Sequence, residues 1–322
     1  MHWLPRTAAL LIPALMATGC SALSGDDGAS QQDQVAVAFY PLEYAVSRVA
    51  GDHFDLVALT APGKEPHDVE LGIDKTAAVA DSGLVVFESG FQPAVDRAVE
   101  QNATGRVLDV ADVVDLVAAH RESSEESHDH EHESEHDHEA EEESHDGHDH
   151  GNLDPHFWLD PLLMADLTDA IAAELAEIDP DHADEFSDNA AAFREELETL
   201  DRDYADGLAT CKRDTVVVNH DAFGYLTRYG LHFEDIVGLS PGAEATIADQ
   251  RRLEDLVEHE GITTVFSERL ASDKAARTLA DDAGVRLDVL DPIEGLSDQT
   301  SGEDYLSLMR SNLTKLKEAN GC

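Results

Sequence analysis

The strongest constraint on what this chain can become is a stretch that cannot fold. Residues 121–151 are almost wholly His, Glu, Asp and Ser, with no large apolar side chain among them. Such a segment has too little surface to bury to offset the entropy of ordering it, so the sequence predicts a disordered loop. The loop carries eight of the seventeen histidines: His128, His130, His132, His136, His138, His145, His148 and His150. Imidazoles and carboxylates packed this densely are ligands for borderline divalent cations such as Zn²⁺. An auxiliary metal-binding loop is therefore expected, a merely solubilising acidic linker being the plainer alternative.

On both sides of the loop the pattern is different. Apolar runs at 35–39, 54–59, 84–87 and 106–110 read as strands, alternating with helix-like segments at 42–50, 69–81 and 93–101. A second series of strands is expected at 215–219, 233–237, 263–266 and 287–290, with helices at 222–229, 247–260, 272–283 and 301–319. Strands alternating with helices imply βαβ units and mainly parallel sheets. Between the two series lie a helix at 161–178, stopped by Asp179-Pro180, and a longer helical stretch at 181–208. At 1.5 Å per residue that stretch would be about 40 Å long, enough to span a two-lobed protein. The expected architecture is thus α/β: two (βα)n lobes joined by one long helix, with any ligand in the cleft at the carboxyl ends of the strands. The domain boundaries that follow are a signal segment over 1–20, a flexible tether over 21–34 and a first lobe over 35–180 containing the loop. A linking helix over 181–210 and a second lobe over 211–322 complete the chain.

The amino end reads as an export signal. Arg6 precedes a short apolar stretch at 8–16, too short to span a bilayer, and then Ala17-Thr18-Gly19-Cys20. Small residues before a cysteine resemble a lipobox, which makes Cys20 the lipidated residue and places the protein at the outer face of the cytoplasmic membrane, held there by lipid alone. Of the other two cysteines, Cys211 and Cys322, a disulfide is expected in an oxidising compartment, two separate buried thiols being the alternative. The net charge of −48 argues against nucleic acid and anionic lipid as partners.

Among the remaining histidines, three share a kind of position. His67 lies in a Pro- and Gly-rich loop after the second strand, His156 in a loop entering a helix, and His220 at the end of the run TVVVN. All three are expected at strand-to-helix turns on one edge of their sheets, where they would make three corners of a tetrahedral metal site. The fourth corner falls to Glu294 first, then Asp291, then Glu268, or to water. His182, His232 and His259 are expected on solvent faces, and His53 and His120 have no assigned place.

The motifs GKEPHDVEL, DPHFWLDP, NHDAFGYL, GLSPGAEAT and VLDPIEGL, with an acidic His-rich insertion before the second, closely resemble those of the zinc-binding lipoproteins of ABC importers. These are the ZnuA-type members of the cluster A-I solute-binding proteins. The resemblance runs in order from about residue 35 to the carboxyl terminus, although this loop is unusually rich in Glu relative to His. It implies two (βα)n lobes joined by a single long helix, with Zn²⁺ held between them by His67, His156 and His220 and by a carboxylate at Glu294 or water. It also implies the Cys211–Cys322 bridge, and an ABC permease with a cytosolic ATPase as partners of a monomeric, non-enzymatic capture protein. Manganese-binding relatives carry a carboxylate at the His220 position, so manganese is the alternative cargo. A hydrolytic zinc enzyme and a surface zinc buffer or adhesin are the rival classes.

Overall fold

Apolar runs covered on both faces become short, largely buried strands at the centre of each sheet, as expected of parallel sheets flanked by helices. The computed structural model describes residues 33–119 and 153–322. The signal segment, Cys20, nearly all of the tether, His120 and the eight loop histidines lie outside the described residues. The first half runs β1 (Gln34–Val37), α1 (Tyr40–Ala50), β2 (Asp55–Ala58), α2 (Ile73–Asp81), β3 (Leu84–Phe87), α3 (Pro93–Asn102) and β4 (Arg106–Asp109). Its four strands are all parallel, in the order β2-β1-β3-β4. Two helices follow, α4 (Pro161–Ile178) and α5 (Ala183–Leu208).

The second half repeats the scheme with β5 (Thr215–Val218), β6 (His232–Asp235), α6 (Ile247–Glu260), β7 (Thr264–Ser267), α7 (Lys274–Ala283), β8 (Arg286–Val289) and α8 (Tyr305–Asn320). Its sheet is again parallel, in the order β6-β5-β7-β8. In both sheets the chain steps outward from the first strand and then crosses back over it. The carboxyl ends of β1 and β3, and of β5 and β7, are therefore the switch points where open α/β sheets bind ligands.

The long helix α5 has 26 residues and buries Phe186, Ala190, Phe193, Leu197, Leu200, Tyr204 and Leu208. Spacings of three and four put these on one stripe, which is what a helix laid against a core requires. The stripe touches both halves. Asn189 donates to the Val49 carbonyl of α1 and Tyr204 to the Met309 carbonyl of α8, at 3.0 and 2.7 Å. One apolar core accordingly runs from the first sheet through α4, α5 and α8 into the second half. A separate cluster (Val217, Ile236, Leu253, Val257, Ile262, Val265, Ala276, Leu279 and Ala280) underlies α6 and α7. Cys211 and Cys322 form a disulfide that ties the end of α8 to the residues after α5. No helix among the described residues is long and apolar enough to cross a membrane.

Several expected boundaries move for local reasons. The helix expected at 69–81 begins only at Ile73, with extended Gly72 as its cap. The segment expected as a helix at 222–229 is a 3₁₀ turn over Gly224–Tyr229, ended by Gly230 in the left-handed region. A six-residue stretch that opens on one glycine and is closed by another is too short for an α-helix to nucleate on its own. The last helix starts at Tyr305 instead of 301, because Asp304 and Ser307 form a reciprocal capping box there.

Candidate metal centre

His67, His156, His220 and Glu294 converge in the cleft between the two sheets. Each offers one ligand atom, and all four atoms lie within 4.8 Å of one another. The arrangement is tighter than that bound suggests. Oxygen Oε1 of Glu294 lies 3.2 Å from His67 Nε2, 3.3 Å from His156 Nε2 and 3.3 Å from His220 Nε2. The Nε2 atoms of His156 and His220 are themselves 3.3 Å apart. Metal–nitrogen bonds of about 2.0–2.1 Å at tetrahedral angles give edges of ~3.3 Å between ligand atoms, so these four separations are those of a zinc tetrahedron.

Each side chain arrives by a different route. His67 follows β2, in the loop before α2, and its backbone N–H donates to Glu65 Oε1 at 3.0 Å. His220 follows β5, as expected. His156 does not follow a strand: it stands just before the 3₁₀ turn Phe157–Leu159 that leads into α4, and an isolated antiparallel bridge between Ala118 and Leu153 precedes it. The expectation that all three sit at strand-to-helix turns holds for His67 and His220 and is corrected for His156. Burial of its apolar neighbours places it instead. Trp158 is fully buried and donates to the Pro292 carbonyl of the Glu294 loop at 2.7 Å, while Tyr305 of α8 donates to the Trp158 carbonyl at 2.5 Å.

The loop that carries Glu294 is shaped by Asp291. Asp291 Oδ1 accepts the Ile293 N–H at 2.9 Å, and Oδ2 pairs with Arg269 at 3.0 Å. Ile293 has φ 62°, in the left-handed region that a β-branched residue rarely adopts. Fully buried, it is held there by its surroundings, and the turn aims the next residue, Glu294, at the histidines.

Asp291 and Glu268, the lower-ranked candidates for the fourth corner, are both near the site but face other groups. Glu268 Oε1 accepts from the His220 backbone N–H at 3.0 Å and meets His220 Nδ1 at 2.6 Å. Asp154 Oδ1 does the same for His156, at 3.0 Å from its N–H and 2.7 Å from its Nδ1. A carboxylate on Nδ1 fixes the ring and leaves Nε2 to face the cleft, as is usual behind metal-bound imidazoles. The sequence reading missed Asp154, although its place two residues before His156 was a usable signal. Gly224 makes room for it, since a Cβ there would come within 2.6 Å of Asp154 Oδ2.

Electrostatics follow the same arrangement. Burial works against a charged His220 ring, but Glu268 and Glu294 outweigh it and push its pKa up to about 10. Burial likewise opposes the charge on His156, and hydrogen bonds to Asp154 and Glu294 still raise its pKa. For Glu294, burial favours the neutral acid, yet three imidazoles hold the carboxyl well below its ordinary range. The cluster is therefore a carboxylate that gathers positive charge, which makes it a candidate site for a divalent cation in place of protons.

The other histidines are scattered. His232 and His259 lie on exposed surface, as expected. His182 is also exposed, as expected, and its ring packs against that of His53, a pairing nothing in the sequence suggested.

Two parallel sheets bridged by a long helix, with three imidazoles and a carboxylate between them, define the class of two-lobed metal-binding proteins. The ZnuA-like domain of Streptococcus pneumoniae AdcA, solved with Zn(II) bound, matches with a TM-score of 0.70 and 30% identity over 90% of this chain and 99% of that one. The family described as zinc-uptake complex component A, periplasmic (ZnuA), matches residues 35–319, and this chain belongs to it. It is 34% identical to the zinc-binding lipoprotein AdcA of Streptococcus pneumoniae over 97% of this chain, and spans 61% of that longer relative. It is 32% identical to the high-affinity zinc uptake system protein ZnuA of Bacillus subtilis, over 94% of this chain and 92% of that protein.

Proposed function

We propose that this chain captures Zn²⁺ outside the cytoplasmic membrane, with His67, His156, His220 and Glu294 as its four ligands, and delivers the ion to an ABC permease driven by a cytosolic ATPase. The observation that carries this reading is the set of 3.2–3.3 Å separations around Glu294 Oε1. Three imidazoles and one carboxylate favour Zn²⁺ over Mn²⁺, which prefers oxygen. A hydrolytic zinc enzyme keeps its fourth position for water, and here Glu294 occupies that position. The zinc-uptake family and the zinc-binding relatives support the transport role, and the lipobox reading of Cys20 supplies a membrane anchor. Capture by a monomer that closes by small tilts about α5 completes the reading, with the His/Asp/Glu tract gathering zinc near the cleft.

Zinc titration with metal analysis of the full chain tests it. One tightly bound ion is expected, lost in His220→Ala and in Glu294→Ala. A tight ion that survives both substitutions would move the site elsewhere.

A further inference from the structure

A second group of metal-ligating side chains lies at the opposite edge of the first sheet. His53 stands in the turn between α1 and β2, at the amino end of that strand, while Asp179 and His182 form the turn between α4 and α5. The two imidazoles pack as a tilted pair, with centroids 4.0 Å apart and 32° between their planes. His182 Nδ1 is 2.6 Å from Asp179 Oδ2, and His53 Nε2 is 3.2 Å from Glu185 Oε2. One ligand atom from each of His53, Asp179 and His182 lies within 4.8 Å of the others. Phe186 packs against both rings, at 5.6 and 6.4 Å, and gives the pair an apolar back wall.

Two rings this close repel if both are protonated, and if both are neutral they leave the adjacent carboxylates without a counter-charge. A single divalent cation relieves both conditions, since it replaces protons on the imidazoles and neutralises the carboxylates. Two nitrogens and one or two carboxylate oxygens form a donor set for zinc and similar borderline cations. We propose that His53, Asp179 and His182, with Glu185 beside them, form a second, solvent-facing site for Zn²⁺, with water completing the shell. Its ligands are partly exposed, with side-chain accessibilities of 26% for His53 and 44% for His182. It therefore fills after the buried cleft, and its ion ties the α1–β2 turn to the start of the long helix.

The test is residue-resolved histidine modification of the full chain with diethyl pyrocarbonate, read by peptide mass spectrometry across a zinc titration. Beyond the first equivalent, zinc should protect His53 and His182 with one shared midpoint, while exposed His259 stays reactive. Asp179→Asn and His182→Gln should each raise the midpoint for His53 by more than about tenfold, with circular dichroism confirming the fold. In His220→Ala the protection of His53 and His182 should persist, which separates this site from the cleft. Absent protection overturns the proposal, as does protection of His53 that survives both substitutions or is matched at His259.

Discussion

The floor and the rim of the cleft are built differently. His156 and His220 on the floor are fully buried, and each has a carboxylate on its Nδ1, Asp154 or Glu268. His67 at the rim keeps a side-chain accessibility of 15%. Its ring meets Glu294 and packs edge-on against Phe91, with no carboxylate on Nδ1 among the described residues. The floor rings are thus oriented without a metal, whereas the rim histidine rides on a loop between β2 and α2. For the proposed site this assigns the fixed geometry to the floor and leaves the rim as the side expected to yield first.

Substitutions on the two sides should separate them. His220→Ala removes a proposed ligand and strands Glu268 behind it, so zinc affinity should fall by more than the roughly 100-fold upper end for losing a supporting partner. His67→Ala should cost less and should speed zinc dissociation more than it slows binding. Competition with a fluorescent chelator and stopped-flow release measure both; equal losses would erase the distinction between floor and rim.

A smaller effect is expected one shell further out. Glu268→Gln and Asp154→Asn should each weaken zinc binding by about 10- to 100-fold while leaving the stoichiometry at one cleft ion. No change would mean that the buried rings are oriented by packing alone.

The pH dependence sharpens the same contrast. In the metal-free protein the His220 pKa is raised from 6.5 to about 10. Its stabilising contribution is therefore fully present below about pH 6.5 and lost as pH rises through about 10. Zinc must displace that proton, so affinity should climb by about tenfold per pH unit between pH 7 and 10 for each proton released. Glu268→Gln should flatten the slope, because it removes a main cause of the raised pKa. Calorimetry in buffers of different ionisation enthalpy counts the protons; a slope unchanged in the variant would assign them elsewhere.

The smallest effect on the cleft should come from the disulfide. Replacing Cys211 and Cys322 by serine should lower stability by about 2–4 kcal/mol with little change in zinc affinity. A large change in affinity would show that the position of α8 governs the site.

Much of this was legible in the chain itself. Strands over 84–87 and helices over 161–178 and 247–260 fall where periodicity and punctuation put them, because apolar runs, Pro at helix starts and Gly at helix ends act locally. His67, His156, His220 and Glu294 stood out for the same reason, each beside a loop at the end of an element. Local pattern ranked Glu294 ahead of Asp291 and Glu268 as the fourth neighbour but left all three open. All three are acidic residues just past a strand, and only the left-handed turn at Ile293 and the Arg269 pairing of Asp291 decide which carboxylate faces the imidazoles.

By itself, then, the sequence determined two parallel βα halves, a long amphipathic helix and a set of candidate metal ligands, because these depend on hydrophobic period and side-chain chemistry along a few residues. The tertiary structure alone decided that Asp154 and Glu268 stand behind the rings of His156 and His220, and that His53 meets His182. Such contacts join residues from separate elements, and their distances are set by how the elements pack against a shared core, which no local stretch of chain encodes.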